Sequence, residues 1–177
     1  ALLDAFAPQH LEELQSFVEE LVNTKIDHML ALGQADLVAE LFWDVPLIVA
    51  LKFLGIPDED MQELKKFAVA HTVNTWGRPS VDEQCHVAEG VGRFWQYAGQ
   101  VLTKMKQQPD GSGWMYDMIA QNKAMPEVVT ENYLHSMMMA ILVAAHETTA
   151  LAAANTVKVL LEQPDLWQKL CQEPTLI

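Results

Sequence analysis

At 177 residues the chain is long enough for one domain with a sizeable core and too short for several. Acidic side chains outnumber basic ones 24 to 11, a formal charge of −13, which excludes nucleic-acid binding through a basic face and fits an ordinary acidic surface. Apolar residues make up 50%, yet the longest unbroken apolar run, Met137 to Ala145, is well short of the ~18 residues expected of a membrane span. No basic stretch leads into an apolar one at the start, so no signal peptide and no membrane association are expected. Cys85 and Cys171 form neither a C-x-x-C pair nor a disulfide framework, and the default compartment is a reducing cytoplasm.

In chain order the pattern is helix after helix. From Pro8, a favoured first helical residue, Leu11, Leu14, Phe17, Val18, Leu21, Val22, Ile26 and Met29 trace one face up to Gly33. Asp36 to Leu41 reads as a short helix or, near 36–38, a short strand. Pro46 interrupts, and Leu47 to Leu54 forms a buried helix ending at Gly55. Pro57 to Asp60 places negative charge at the start of a helix reaching about Thr75. After the break at Gly77-Arg-Pro79, Ser80 and Glu83 form a capping box. The helix it opens turns Val87, Val91, Phe94, Trp95, Ala98, Leu102 and Met105 inward. Pro109 to Gly113 is a turn-rich loop, and Trp114 to about Ala120 a short helix. A long helix follows, from about Pro126 to about Gln163 and roughly 55 Å in length, with a final short helix before Pro174. The prediction is an all-α, single-domain chain arranged around that long helix.

The middle of the long helix is apolar on nearly every side, as expected of a helix inside a core. Into it the sequence inserts His146, Glu147, Thr148 and Thr149 beside Ala144 and Ala145. Polar groups there need partners, because burying them unpaired costs several kcal/mol. His146-Glu147 begins like the zinc motif H-E-x-x-H, but the fifth residue is Ala150, so a second imidazole is missing. Glu83-Gln-Cys-His86 is a single E-x-x-H, whereas a di-iron bundle needs two. Neither a Gly-rich phosphate loop nor a G-x-S-x-G elbow occurs. His135 and His146 read as structural, and Met137 to Met139 as core filler.

Ala144-Ala-His-Glu-Thr-Thr149 resembles the distal long-helix motif A-G-x-[DE]-T-[TS] of the cytochrome P-450 haem-thiolate monooxygenases. The flanks resemble bacterial members in the same order: Phe6-Ala-Pro8, Asp36-Leu-Val, the Pro46-containing helix, Leu54 to Asp60, and Leu160 to Asp165. Thr75 to Pro79 and Ala88-Glu-Gly90 resemble self-sufficient members fused to a reductase. Ala145 departs from the family, which usually has glycine there. The resemblance covers residues 1–177 as a single partial domain, about two-fifths of a monooxygenase, from the end of the family's third helix to just past its long one.

The resemblance implies haem b, dioxygen and a small apolar organic substrate that is oxidised by hydroxylation. Electrons would come from NAD(P)H through a flavin and iron–sulfur reductase, either a ferredoxin system or a fused reductase domain. Ala140, Ala144, Ala145 and Thr148 would border the haem, and Val143 and Ala144 the substrate. Glu147 would face away from the haem and shuttle protons from bulk water. Thr148 would turn inward to hold a water and reduced dioxygen, disturbing the helix between Ala144 and Thr148 by competing for a carbonyl one turn back. The cysteine loop that ligates the iron in this family has no counterpart here. Neither Cys85 nor Cys171 inherits that role, and the chain alone is expected to be inactive. The alternatives are an inactive helical ligand-binding module of the same ancestry and an unrelated acidic α-helical interaction protein.

Overall fold

The computed structural model describes residues 8–57, 59, 61–108 and 110–176. The expected acidic start at Asp58 and Asp60, and the Phe6 part of the third-helix resemblance, lie outside them. Among the described residues seven α-helices run in order: α1 Pro8–Leu32, α2 Val45–Leu54, α3 Met61–Trp76, α4 Val81–Gln107, α5 Trp114–Ala124, α6 Glu131–Leu161 and α7 Pro164–Gln172. A π-helical turn, Val38–Phe42, precedes α2, and a 3₁₀ turn, Pro174–Leu176, follows α7.

The strand considered near 36–38 is not formed. Asp36 accepts hydrogen bonds from Val38 N–H at 2.9 Å and Ala39 N–H at 3.2 Å, so its carboxylate starts a helical turn instead. The turn closes with Trp43 N–H donating to the Val38 carbonyl at 2.9 Å, the five-residue spacing of a π-helix. The long helix also begins later than its proline suggests. Residues 126–129 form a turn in which Val128 and Val129 N–H both reach the Met125 carbonyl at 3.0 Å. Thr130 then caps α6 by accepting from Tyr133 N–H at 3.1 Å. Ser80 and Glu83 form the expected capping box at the start of α4.

Residues from α2 to α6 share one apolar core, including Leu47, Leu51, Leu54, Phe94, Leu102, Met115, Leu134 and Met138. α6 runs through it, packing against the π turn, α2, α3, α4 and α5, with α7 at its far end. As a whole helix it is long and apolar enough, by length and composition, to cross a membrane, despite its short unbroken apolar run. Packed on several sides and carrying the buried polar residues His146 and Glu147, it serves here as the core helix of the fold.

The helix ends are set by close backbone packing. Gly55 caps α2 in the left-handed region at φ +79° and lies against the loop before α5. A Cβ on Gly55 would overlap the Ser112 carbonyl oxygen, and one on Gly113 would come within 2.5 Å of Gly55 Cα. Asp44, just ahead of α2, is gripped from both sides. Lys65 of α3 stands 2.5 Å from its Oδ1 and Lys25 of α1 3.2 Å from its Oδ2. Burial pushes this carboxyl's pKa up, but the two ammonium groups outweigh it and hold it below the ordinary carboxylate value.

Candidate functional site

α6 presents two stripes, and its polar insertion is divided between them. Leu134, Met138, Leu142, His146 and Ala150 recur every four residues and are buried. The second stripe faces a cavity of about 540 Å³. Ser136, Met139, Ala140 and Val143 line its first part, and Ala144, Glu147, Thr148 and Leu151 the next turns. Opposite stand Trp76, at the end of α3, and Val91, Phe94 and Trp95 of α4. The Phe94 ring stacks on Phe67 of α3, with centroids 5.1 Å apart and an interplanar angle of 18°, which fixes the two roof helices to each other.

The inner face assigned to α4 therefore splits as well. Val87, Ala98, Leu102 and Met105 are buried in the core, Phe94 is buried and also lines the cavity, and Val91 with the half-exposed Trp95 borders it. The family resemblance implies a substrate roof from the helices near Asp58 to Thr75 and Ser80 to Met105, but the sequence does not single out Val91 or Trp95 within it, because apolar periodicity treats a core-facing and a cavity-facing side chain alike.

Of the expected site residues, Ala140, Val143, Ala144, Glu147 and Thr148 come together on the cavity wall. Ala145 is half-buried and is not among the described lining residues. Glu147 is buried, 7% exposed, and lies on the cavity stripe, following Ala140 by two turns and Val143 and Ala144 by one.

The Thr148 hydroxyl donates to the Ala144 carbonyl one turn back. The irregularity expected between Ala144 and Thr148 is not present as a change of helix type, since α6 is α-helical from Glu131 to Leu161. A carbonyl has two lone pairs, so the hydroxyl can take one without displacing the backbone donor. With its hydrogen directed at Ala144, the Thr148 oxygen keeps lone pairs with which to accept a hydrogen bond.

His146 belongs to the other stripe. It is fully buried, donates Nε2–H to the Trp43 carbonyl at 2.8 Å, and packs its ring 4.6 Å from that of Trp43. This bond fixes the neutral tautomer and leaves Nδ1 buried without a hydrogen-bond partner. Burial holds the imidazole pKa below its ordinary value, against the Trp43 carbonyl and Glu147, which pull it up. The structural role expected of this histidine is explicit in that bond.

Glu83, Cys85, His86 and Cys171 are all exposed. Among the described residues no group of three or more His, Cys, Asp or Glu side chains is placed to hold a metal ion. The wall nevertheless suits a flat macrocycle, since Ala140 and Ala144 let a ring approach the helix backbone. Polar groups on the described wall are confined to Ser136, Glu147 and Thr148, apart from the indole N–H groups of Trp76 and Trp95.

A long core helix bearing this motif beneath a two-helix roof is a partial cytochrome P450 fold, and the chain belongs to the cytochrome P450 family. It is similar to the haem domain of CYP116B5 from Acinetobacter radioresistens, at 66% identity and a TM-score of 0.92, covering 97% of this chain and 42% of that one. An intact type IV self-sufficient cytochrome P450 monooxygenase matches at 51% identity and a TM-score of 0.89, covering 99% of this chain and 23% of that one. Cytochrome P450 105A3 of Streptomyces carbophilus is 31% identical over 176 residues, 99% of this chain and 41% of its own. No family model matches the chain. The chain spans about two-fifths, 41%, of the length of the curated relatives it matches first.

Proposed function

We propose that α3, α4 and α6 supply the distal wall and roof of a haem-thiolate monooxygenase that oxidises a small apolar molecule with dioxygen and two electrons. The observation that carries this reading is the placement of Glu147 and Thr148, with Ala140 and Ala144, on one apolar cavity wall. Haem b, when bound, supplies dioxygen activation. Ala140 and Ala144 would border it and Val143 and Ala144 the substrate.

The chain's own residues manage water and protons. With the open side of the cavity covered in the full-length protein, the apolar roof and wall would limit the entry of bulk water, and a proton would then need a fixed route. The Glu147 carboxylate can take up a proton and release it toward the cavity. The Thr148 oxygen, its hydrogen directed to Ala144, accepts a hydrogen bond from a water and so holds that water beside the wall. The similarity to a self-sufficient monooxygenase favours electrons from NAD(P)H through a flavin and iron–sulfur reductase, fused or separate. The exposed free thiols Cys85 and Cys171 favour a reducing, cytoplasmic setting.

Glu147→Gln in the full-length protein tests the reading, since it keeps the shape and removes the titratable group. Turnover should fall by about a hundredfold, the usual contribution of a general acid or base, and develop a larger solvent isotope effect. Turnover within twofold of the parent, with an unchanged isotope effect, would exclude Glu147 from proton delivery.

A further inference from the structure

One roof residue is held by a partner that does not itself line the cavity. His135 of α6 donates Nε2–H to the Trp95 backbone carbonyl at 2.7 Å. Its imidazole also stacks on the Trp95 indole, with ring centroids 3.6 Å apart and planes inclined by 27°. Trp95 is therefore gripped at backbone and side chain by one residue from the opposite helix. Gly99, one turn further along α4, lies beside the ring, and a Cβ there would make ordinary contact with His135 Cε1 at 3.5 Å.

The grip matters because Trp95 is 45% exposed and lies outside the continuous core. An indole in that position has other rotamers open to it, and each would change the width of the cavity. Phe94, its neighbour, is held by the core and by Phe67, so it needs no such support. The adjacent Ser136 does line the cavity, which places the clamp at the cavity's edge.

We propose that His135 is a positioning residue that fixes Trp95 as a rigid wall of the cavity and thereby sets which ligand shapes it accepts. The inference rests on the cavity being the substrate site proposed above, but its test requires neither haem nor turnover. Calorimetric titration of the full-length protein with indole, a rigid planar probe, reads the wall directly.

His135→Ala should weaken indole binding about fivefold, equivalent to about 1 kcal/mol, the size of one aromatic contact. His135→Gln, which keeps a donor at the same reach and loses the ring, should recover part of the affinity and serves if the alanine variant folds poorly. The combination with Trp95→Ala separates positioning from simple loss of stability. If His135 acts through Trp95, removing it from a protein already lacking the indole should change affinity less than twofold. Full additivity of the two substitutions, or indole affinity within twofold of the parent in both His135 variants, would overturn the proposal. Loss of turnover in Glu147→Gln does not enter this comparison, so the clamp and the monooxygenase reading fail separately.

Discussion

Replacing His146 by alanine should destabilise the full-length protein by about 2–3 kcal/mol and remove a defined part of its acid sensitivity. Three losses contribute. The ring contact with Trp43 is of the kind worth about 1 kcal/mol, and the bond to the Trp43 carbonyl about another 1 kcal/mol. Emptying a fully buried site adds a cavity cost of about 1–2 kcal/mol, below that of a leucine or phenylalanine truncation because the imidazole is smaller. A partial offset of about 1 kcal/mol comes from deleting the buried, unpartnered Nδ1.

The pH dependence has a definite sign. Burial keeps the folded imidazole neutral below its ordinary value of 6.5, and the nearby charged groups Glu147, Asp44 and Lys65 do not reverse that. The unfolded chain therefore binds the extra proton first. The contribution of His146 is complete above pH 6.5 and is lost as pH falls from there through the folded-state value, at up to about 1.4 kcal/mol per unit. Urea unfolding of parent and His146→Ala between pH 8 and 5 measures both effects. A loss below 0.5 kcal/mol, or an acid slope identical to the parent's, would refute the assignment of a buried neutral imidazole bonded to Trp43.

Two structural predictions accompany it. Asp44→Asn leaves Lys25 and Lys65 without their shared carboxylate and should lower stability at neutral pH by about 1–3 kcal/mol, measured by urea unfolding. Because the folded Asp44 value is held below the ordinary 3.8, the parent's advantage over this variant should persist above that pH and fade as pH falls below it. Gly55→Ala forces a side chain into the left-handed region, at about 1–2 kcal/mol, and onto the Ser112 carbonyl, which cannot move aside as a flexible side chain would. Its thermal midpoint should drop by several degrees, and an unchanged midpoint would contradict the packing of α2 against the loop before α5.

The sequence made the helices and their order legible because period-3.6 patterns and capping residues act locally. Ser80 with Glu83 is the clearest case, with both capping bonds present as the residues imply. Less legible were features that depend on distant partners. The Asp36 turn could be read as a strand, since Leu37-Val38 is apolar and only the carboxylate's bonds to Val38 and Ala39 decide the matter. The start of α6 was obscured by Pro126, a favoured first helical residue, when the capping Thr130 set the boundary. At the site, the motif from Ala144 to Thr149 located the cavity wall, but its two faces were not separable from the string. Glu147 and His146 are adjacent in sequence yet serve the cavity and the core respectively. Trp95 was assigned to an inner face without a sign that His135, forty residues on, holds it at the cavity edge.

The central claim is that the cavity wall of α6 manages protons for oxygen activation, and Thr148→Ala in the full-length protein tests it most directly. The substitution removes the hydroxyl bonded to the Ala144 carbonyl together with the γ-methyl, and leaves the other described lining residues in place. Substrate affinity should therefore change little. The decisive quantity is the ratio of oxidised product to hydrogen peroxide per pair of electrons consumed. The account predicts a fall in that ratio of tenfold or more, a factor that corresponds to about 1.4 kcal/mol between the competing routes. A ratio within twofold of the parent's would show that Thr148 is an ordinary helix residue and that the wall takes no part in the chemistry.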